Sequence, residues 1–351
     1  MTDSSLDSDV EMAELDTDDK TDGRGVNRLG YRGWSGELES GAMRWTVISA
    51  VGIRRAWQSS WLRRMLFFAW LPAVVFGIGF FLWEQAALYP EWRYRAAVFL
   101  EGLTPPQVSD QIKESIKSGN FESSRHAVWA SLLQTFFRYP QGVLMVMVVG
   151  LIAPPMISQD VRSRAFLMYF SRPLTRGEYL LGKLASVWAY LSVISTLPAL
   201  ALYVLGVLLS PNLSVVSATW DIPLRIVAAS VVLMLPTSVL ALCFSSMTQE
   251  SRYAGFAWFA MWILGSFTYA VATTVETQNA QQEMYRTGKQ IVLEQSEWTH
   301  VSLYHTLGRV QSWVFGFENF REVWVSAAIL VAVTVIALMV LLRRISAPMR
   351  V

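Results

Sequence analysis

Between residues 65 and 345 the chain reads as six long apolar stretches separated by polar loops of ordinary charge. The stretches fall near 65–88, 142–157, 184–209, 222–244, 253–274 and 323–342; a wider reading extends the second back through Phe136 and Phe137. Most reach the roughly 20 residues that a helix needs to cross about 30 Å of hydrocarbon. In lipid only helices and closed barrels satisfy their own backbone hydrogen bonds, and continuous apolar runs of this length suit the helix. The pattern predicts an all-α polytopic membrane protein, with a six-span transmembrane domain over residues 65–345. The second span is the shortest of the six.

The flanks carry different patterns. Across 42–64, Trp45, Ile48, Val51, Ile53, Trp57 and Trp61 are interleaved with Arg44, Arg54, Arg55, Arg63 and Arg64. Ile53, Trp57 and Trp61 recur every four residues and so share a helical face. A basic amphipathic helix with Trp on its apolar side lies in the membrane interface; a flexible basic linker is the alternative. Residues 1–41 form a tail whose first 22 residues are strongly acidic, with almost no large apolar side chains. Such a segment buries too little surface to offset its ordering entropy and is expected to be disordered. It is the opposite of a signal peptide, which starts basic and turns apolar at once.

Two loops have helical patterns of their own. Between spans one and two, Thr104 fits an N-cap, Pro105 a first turn and Gly119 a C-terminal stop, with Val108, Ile112 and Ile116 on one face. A second run, Trp129, Leu132, Leu133, Phe136 and Phe137, leads towards the membrane and is expected to break at Pro140. After span five, Leu303, Leu307, Val310 and Val314 form a stripe with Trp313 beside it. These read as helices on the outer membrane surface; packing against the bundle rim gives the same pattern. Six spans put both termini on one side. Arg54, Arg55, Arg63, Arg64, Arg162, Arg164, Arg172, Arg176, Lys183, Arg343 and Arg344 share that side, which the positive-inside rule makes cytoplasmic.

Composition sharpens this picture. Charged residues are 16% of the chain, against about a quarter in a soluble domain. Cys243, the single cysteine, lies in an apolar stretch and has no partner for an internal disulfide. Catalytic patterns are missing. Gly182-Lys183 precedes Leu184 and Gly288-Lys289 precedes Gln290, so neither is a phosphate-binding loop, which needs a following hydroxyl for magnesium. His126, His300 and His305 do not have zinc-helix spacing, and no G-x-S-x-G occurs. Spans two, three and five have no ionisable residue in their interiors, while Glu84, Arg225 and Glu322 are placed near span ends within reach of water or headgroups. A proton or sodium relay usually needs buried carboxylates or histidines, so secondary transport is disfavoured. Pro72, Pro154, Pro155, Pro198 and Pro236 lie inside spans and favour kinks.

The most distinctive segment is 158–183, between spans two and three. Asp160 fits the cap of a short helix over 161–170, which Pro173 ends, and Thr175 with Glu178 forms a capping-box pattern for span three. Arg162, Arg164, Phe166 and Phe170 make that short helix both basic and aromatic, so it calls for a partner or the membrane surface. Ser171, Pro173, Thr175, Arg176, Gly182 and Lys183 complete the pattern. This segment resembles the cytoplasmic coupling region of ATP-binding-cassette transporter permeases of the type-2 exporter class. The turn Phe244-Ser245-Ser246-Met247 is similar to that family's Ser-containing cytoplasmic turn, and the layout matches over about residues 45–345. Many members carry Gly-Thr where this chain has Arg164-Ala165.

The resemblance implies a permease subunit in the bacterial cytoplasmic (inner) membrane, with both termini inside. It implies a second permease chain, identical or paralogous, and separate ATPase subunits that hold ATP and magnesium. Asp160, Arg162, Arg164, Phe166, Phe170, Ser171, Pro173 and Arg176 would then form the ATPase-coupling surface. No catalytic, cofactor or metal residue is expected in this chain, and no nucleic-acid partner. The substrate is not indicated. The alternative is a non-transporting membrane scaffold or assembly factor that recruits partners through its tail and outer loops.

Overall fold

The computed structural model describes residues 43–165, 169, 174–287 and 296–346. Among these, every regular element is helical, and six helical segments are long and apolar enough to cross a membrane. Helices α1 (Arg44–Trp57) and α2 (Ser60–Phe68) precede α3 (Leu71–Leu88); α2 and α3 together make the first span, Ser60–Leu88. Helices α4 (Arg93–Glu101) and α5 (Pro106–Ser118) follow. The second span, Glu122–Arg162, joins α6 (Glu122–Phe136) to α7 (Gly142–Arg162). The third, Arg176–Leu209, joins α8 (Arg176–Leu191) to α9 (Leu197–Leu209). After the short α10 (Ser214–Ala218), α11 (Asp221–Met247) is the fourth span and α12 (Ser251–Thr287) carries the fifth. Helix α13 (Leu303–Phe315) leads into α14 (Phe320–Ser346), which carries the sixth.

The spans alternate in direction, which defines two ends. The turn end holds α1, the connection from Arg162 to Arg176 and the short turn from Met247 to Ser251. The loop end holds α4, α5, α10 and α13. Spans two and four occupy the centre, their apolar windows 61% and 67% buried, against 17% and 22% for spans five and six. The aromatic core nearer the loop end is built on Phe80, Trp129 and Tyr203, with ring centroids 5.4 and 6.0 Å apart along the series.

Several expectations are corrected here. The second span is the longest of the six, not the shortest. Pro140 does not break it: a π-helical turn over Phe137–Gln141 absorbs the missing N–H donor, and the helix continues. Trp129, Leu132, Leu133 and Phe136 are therefore buried inside a span instead of lying on a surface helix. A second π-helical turn, Ser192–Thr196, stands just ahead of Pro198. Thr104 is not an N-cap; Pro105 holds that position, and the Thr104 hydroxyl donates to the Leu100 carbonyl at 2.9 Å. Gly119 ends α5 with φ of 75°, as a left-handed stop. Helix α13 buries Thr306, Gly308, Gln311 and Ser312 as well as Leu307 and Val310, so it packs into the bundle rim.

Candidate functional site at the turn end

Three pieces of chain converge at the turn end: the last turns of α7, the first turns of α8, and the turn joining α11 to α12. Helix α8 starts as its residues dictate. The Thr175 hydroxyl accepts from the Glu178 N–H at 3.2 Å, and the Glu178 carboxylate accepts from the Thr175 N–H at 2.7 Å, a complete capping box.

Asp160 is not a cap. Helix α7 runs on to Arg162, and Asp160 sits in its last turns with only 5% of its surface exposed. The reason is tertiary. Lys183 reaches its Oδ2 at 2.7 Å, and the buried Tyr179 hydroxyl donates to the same oxygen at 2.7 Å. The Lys183 ammonium also donates to the Met156 carbonyl at 2.8 Å and lies 5.3 Å from the Tyr179 ring centroid. A buried carboxylate is tolerated when its charge is paired and its lone pairs are used, and both conditions hold. Lys183 is therefore a lock between spans two and three. The Tyr169 ring lies 5.6 Å from that of Tyr179, and burial beside Asp160 pushes the Tyr169 phenol up from its ordinary pKa.

The fourth span contributes a hydroxyl. Ser245 Oγ accepts from the N–H groups of Ile157 and Ser158 at 3.1 and 3.0 Å and donates to the Pro154 carbonyl at 2.6 Å. Pro154 and Pro155 lack N–H donors and disturb the α7 ladder. A side chain 87 residues from Ser158 repairs that disturbance and ties span four to span two.

The surface of this end is basic. Arg162 is largely exposed and pairs with Glu250, in the turn between α11 and α12, at 3.1 Å. Arg164 is exposed and holds φ of 54°, an uncommon value for a residue with a β-carbon, so the chain reverses sharply after α7. Arg176 is exposed at the first position of α8. Val161 and Arg162 belong to α7 and the chain reverses at Arg164, so the helix expected over 161–170 does not start at Val161; Ala165 and Tyr169 are themselves helical. Phe166, Phe170, Ser171 and Pro173 lie outside the described residues, as does the tail 1–41.

Helix α1 is clamped onto α8 by close backbone approach. A β-carbon at Gly182 would stand 2.8 Å from the Trp45 carbonyl oxygen, and one at Gly52 would meet the Ser186 hydroxyl. Ser186 and Tyr190 donate to the carbonyls of Ser49 and Ile53 at 3.2 and 2.6 Å. The 42–64 segment is two helices, with Ser59 capping the second through the Leu62 N–H. Trp57 and Trp61 stay exposed.

The sequence reading named Asp160, Arg162, Arg164 and Arg176, and the fold brings these to one end. It placed Lys183 and Ser245 at this end but did not foresee that Lys183 and Tyr179 close on Asp160, that Ser245 bonds α7, or that Glu250 pairs with Arg162. A lone acid in the short turn facing a basic one was the available signal for Glu250. Among the described residues the site carries no nucleophile–base pair, and no three His, Cys, Asp or Glu groups are gathered to hold a metal. Its chemistry is mechanical: it links the ends of four spans through hydrogen bonds and ion pairs. His300 and His305, at the loop end, have separate partners, Ser326 and Ser302. The family model of ABC-2 family transporter proteins matches residues 97–345. Among curated proteins, none matches the chain.

Proposed function

We propose that this chain, which belongs to the ABC-2 family of transporter proteins and is a multi-pass permease component, works as the membrane half of an ATP-driven exporter. The turn end faces the cytoplasm in this reading, and a separate ATPase docks on segment 160–173. The observation that carries it is the linkage beneath that segment. Asp160, Lys183 and Tyr179 tie span two to span three, Ser245 ties span four to span two, and Arg162–Glu250 ties the two turns together. A displacement applied at Asp160 and Arg162 would reach four spans through these contacts. Arg164 and Arg176 present positive charge to a partner's acids, and Phe166 and Phe170 supply apolar anchors of the kind that dominate interfaces.

The energy source follows from chemistry. The chain has no phosphate-binding loop, and the buried carboxylates Glu84 and Asp160 are paired with Arg125 and Lys183. Work would therefore come from ATP hydrolysed on another polypeptide. Sealed vesicles holding both subunits test this: transport should need nucleotide on the turn-end side and survive a protonophore. Transport that persists without nucleotide and collapses with the proton gradient overturns the reading. Phe166→Asp tests the dock, because an unpaired charge in an apolar pocket should abolish co-purification of the ATPase at normal expression. Undiminished recovery would place the contact elsewhere.

A further inference from the structure

At the turn end a cavity of about 340 Å³ lies between α1 and α7. A second, of about 450 Å³, shares Arg55, Gln159 and Asp160 with it and continues to Arg162 and Ser163. The linings differ. The first has an apolar side on which Val47, Val51 and Leu151 are themselves exposed, so it opens on the face that the bundle presents to hydrocarbon. The second is polar. From Arg162 to Leu151 the joint lining follows α7 for about 16 Å at 1.5 Å per residue. One leaflet supplies about 15 Å of hydrocarbon. Trp57 and Trp61, exposed on either side of the lining residue Ser59, stand where tryptophans collect at a bilayer surface.

Charge in this lining does not balance. Asp160 is held by Lys183 and Tyr179, and Arg162 is paired with Glu250. Arg55 lines both cavities and is exposed, and among the described residues no carboxylate pairs with it. Its charge is felt on the cavity side: burial and Asp160 raise the pKa of the Tyr169 phenol, another lining group, and Arg55 opposes them. One positive charge is left over at the polar end of an apolar groove.

We infer that this groove holds an anionic phospholipid, its phosphate at Arg55 and an acyl chain along Val47, Val51 and Leu151. A free phosphate would meet Arg55 but leave the apolar wall uncovered. A zwitterionic lipid would cover the wall but bring its own cation to a site already in positive excess. Basic pockets between membrane helices select acidic headgroups on the same grounds. The inference needs only that the turn end lies at a bilayer surface. It needs no ATPase, so it and the coupling proposal can fail separately.

The test uses the full chain in phosphatidylcholine nanodiscs doped with phosphatidylglycerol that carries a photoreactive diazirine on one acyl chain. Adducts mapped by mass spectrometry should concentrate on the peptides holding Val47, Val51 and Leu151. Unlabelled phosphatidylglycerol should compete for them, and phosphatidylcholine and soluble glycerol 3-phosphate should not. Arg55→Gln should cut this labelling about fivefold, the scale of one arginine at an anionic surface. Arg54→Gln, one position along the same helix and outside the lining, should leave it unchanged. Val51→Trp, a change at an exposed position, should fill the groove and abolish the adducts. Labelling spread evenly over the spans, or lost equally in Arg54→Gln and Arg55→Gln, overturns the proposal in favour of general surface charge. Competition by glycerol 3-phosphate overturns it in favour of a soluble anion, and labelling of monomers but not dimers in favour of a second copy of the chain.

Discussion

Two ion pairs, one at each end of the bundle, can be set side by side. At the loop end Arg125 grips Glu84 with two parallel bonds of 3.1 and 3.2 Å, and the Trp129 indole N–H adds a third at 3.2 Å. Glu84 is fully enclosed. At the turn end Lys183 meets Asp160 as a single point charge and divides its protons between that carboxylate and the Met156 carbonyl. The first pair is a rigid fork in an aromatic shell, with the Trp83 and Phe121 rings 5.1 Å apart nearby. The second borders an open cavity of about 340 Å³ and the sharp reversal at Arg164. Planar bidentate geometry fixes orientation, whereas an ammonium on a flexible stem can follow a moving partner. The loop end is thus built to hold still, and the turn end to stay joined while it shifts.

The largest effect that tests this contrast is Arg125→Ala. It strands a buried carboxylate and should cost about 3–5 kcal/mol of stability, read by reversible unfolding in mixed micelles. A loss below about 1 kcal/mol would mean that Glu84 is not held as a charge by the fork. Asp160→Asn comes next. Asparagine still accepts from Tyr179 and Lys183 keeps Met156, so the expected cost is about 2 kcal/mol. Its effect on ATPase stimulation should be out of proportion to that loss; normal stimulation would dissolve the functional half of the comparison. Ser245→Ala leaves two α7 N–H groups and the Pro154 carbonyl without this partner, for about 1–2 kcal/mol, with amide exchange accelerated at Ile157 and Ser158. Unchanged exchange there would show that α7 repairs its own ladder.

The smallest effect is a pH dependence at the loop end. Burial, with Arg138 nearby, depresses His305 to about 4, and its ring stacks on Tyr269 at 3.6 Å between centroids. The unfolded chain takes up this proton near pH 6.5 and the folded one does not. Stability from this residue is therefore fully present above pH 6.5 and declines as pH falls towards 4. His305→Gln should flatten this decline relative to wild type, and an identical slope in the variant would assign the effect to another group.

Much of the architecture was legible because it is local. Each span announces itself by a sum of hydropathies over its own residues. Thr175 and Glu178 lie three apart, so their capping box needs no other part of the chain. The basic turn was equally plain. Misreadings arose where a local rule met a distant partner. Pro140 looked like a terminator because proline removes a donor, yet packing on both sides kept the helix going through a widened turn. Asp160 looked like a cap because an acid after an apolar run usually is one.

The sequence by itself determined that this is a six-span helical membrane protein with a basic, aromatic turn of permease type between spans two and three. Tertiary structure alone decided which charges point inward. Glu84 finds Arg125 at a separation of 41 residues, and Ser245 finds Ser158 at 87. Lys183 counts as a positive flank in any tally of loop charges, yet it is spent on Asp160 inside the bundle. Hydropathy is additive along one segment, so sequence carries it faithfully. Pairing depends on which helix faces meet, and in this bundle those faces belong to spans far apart in the chain.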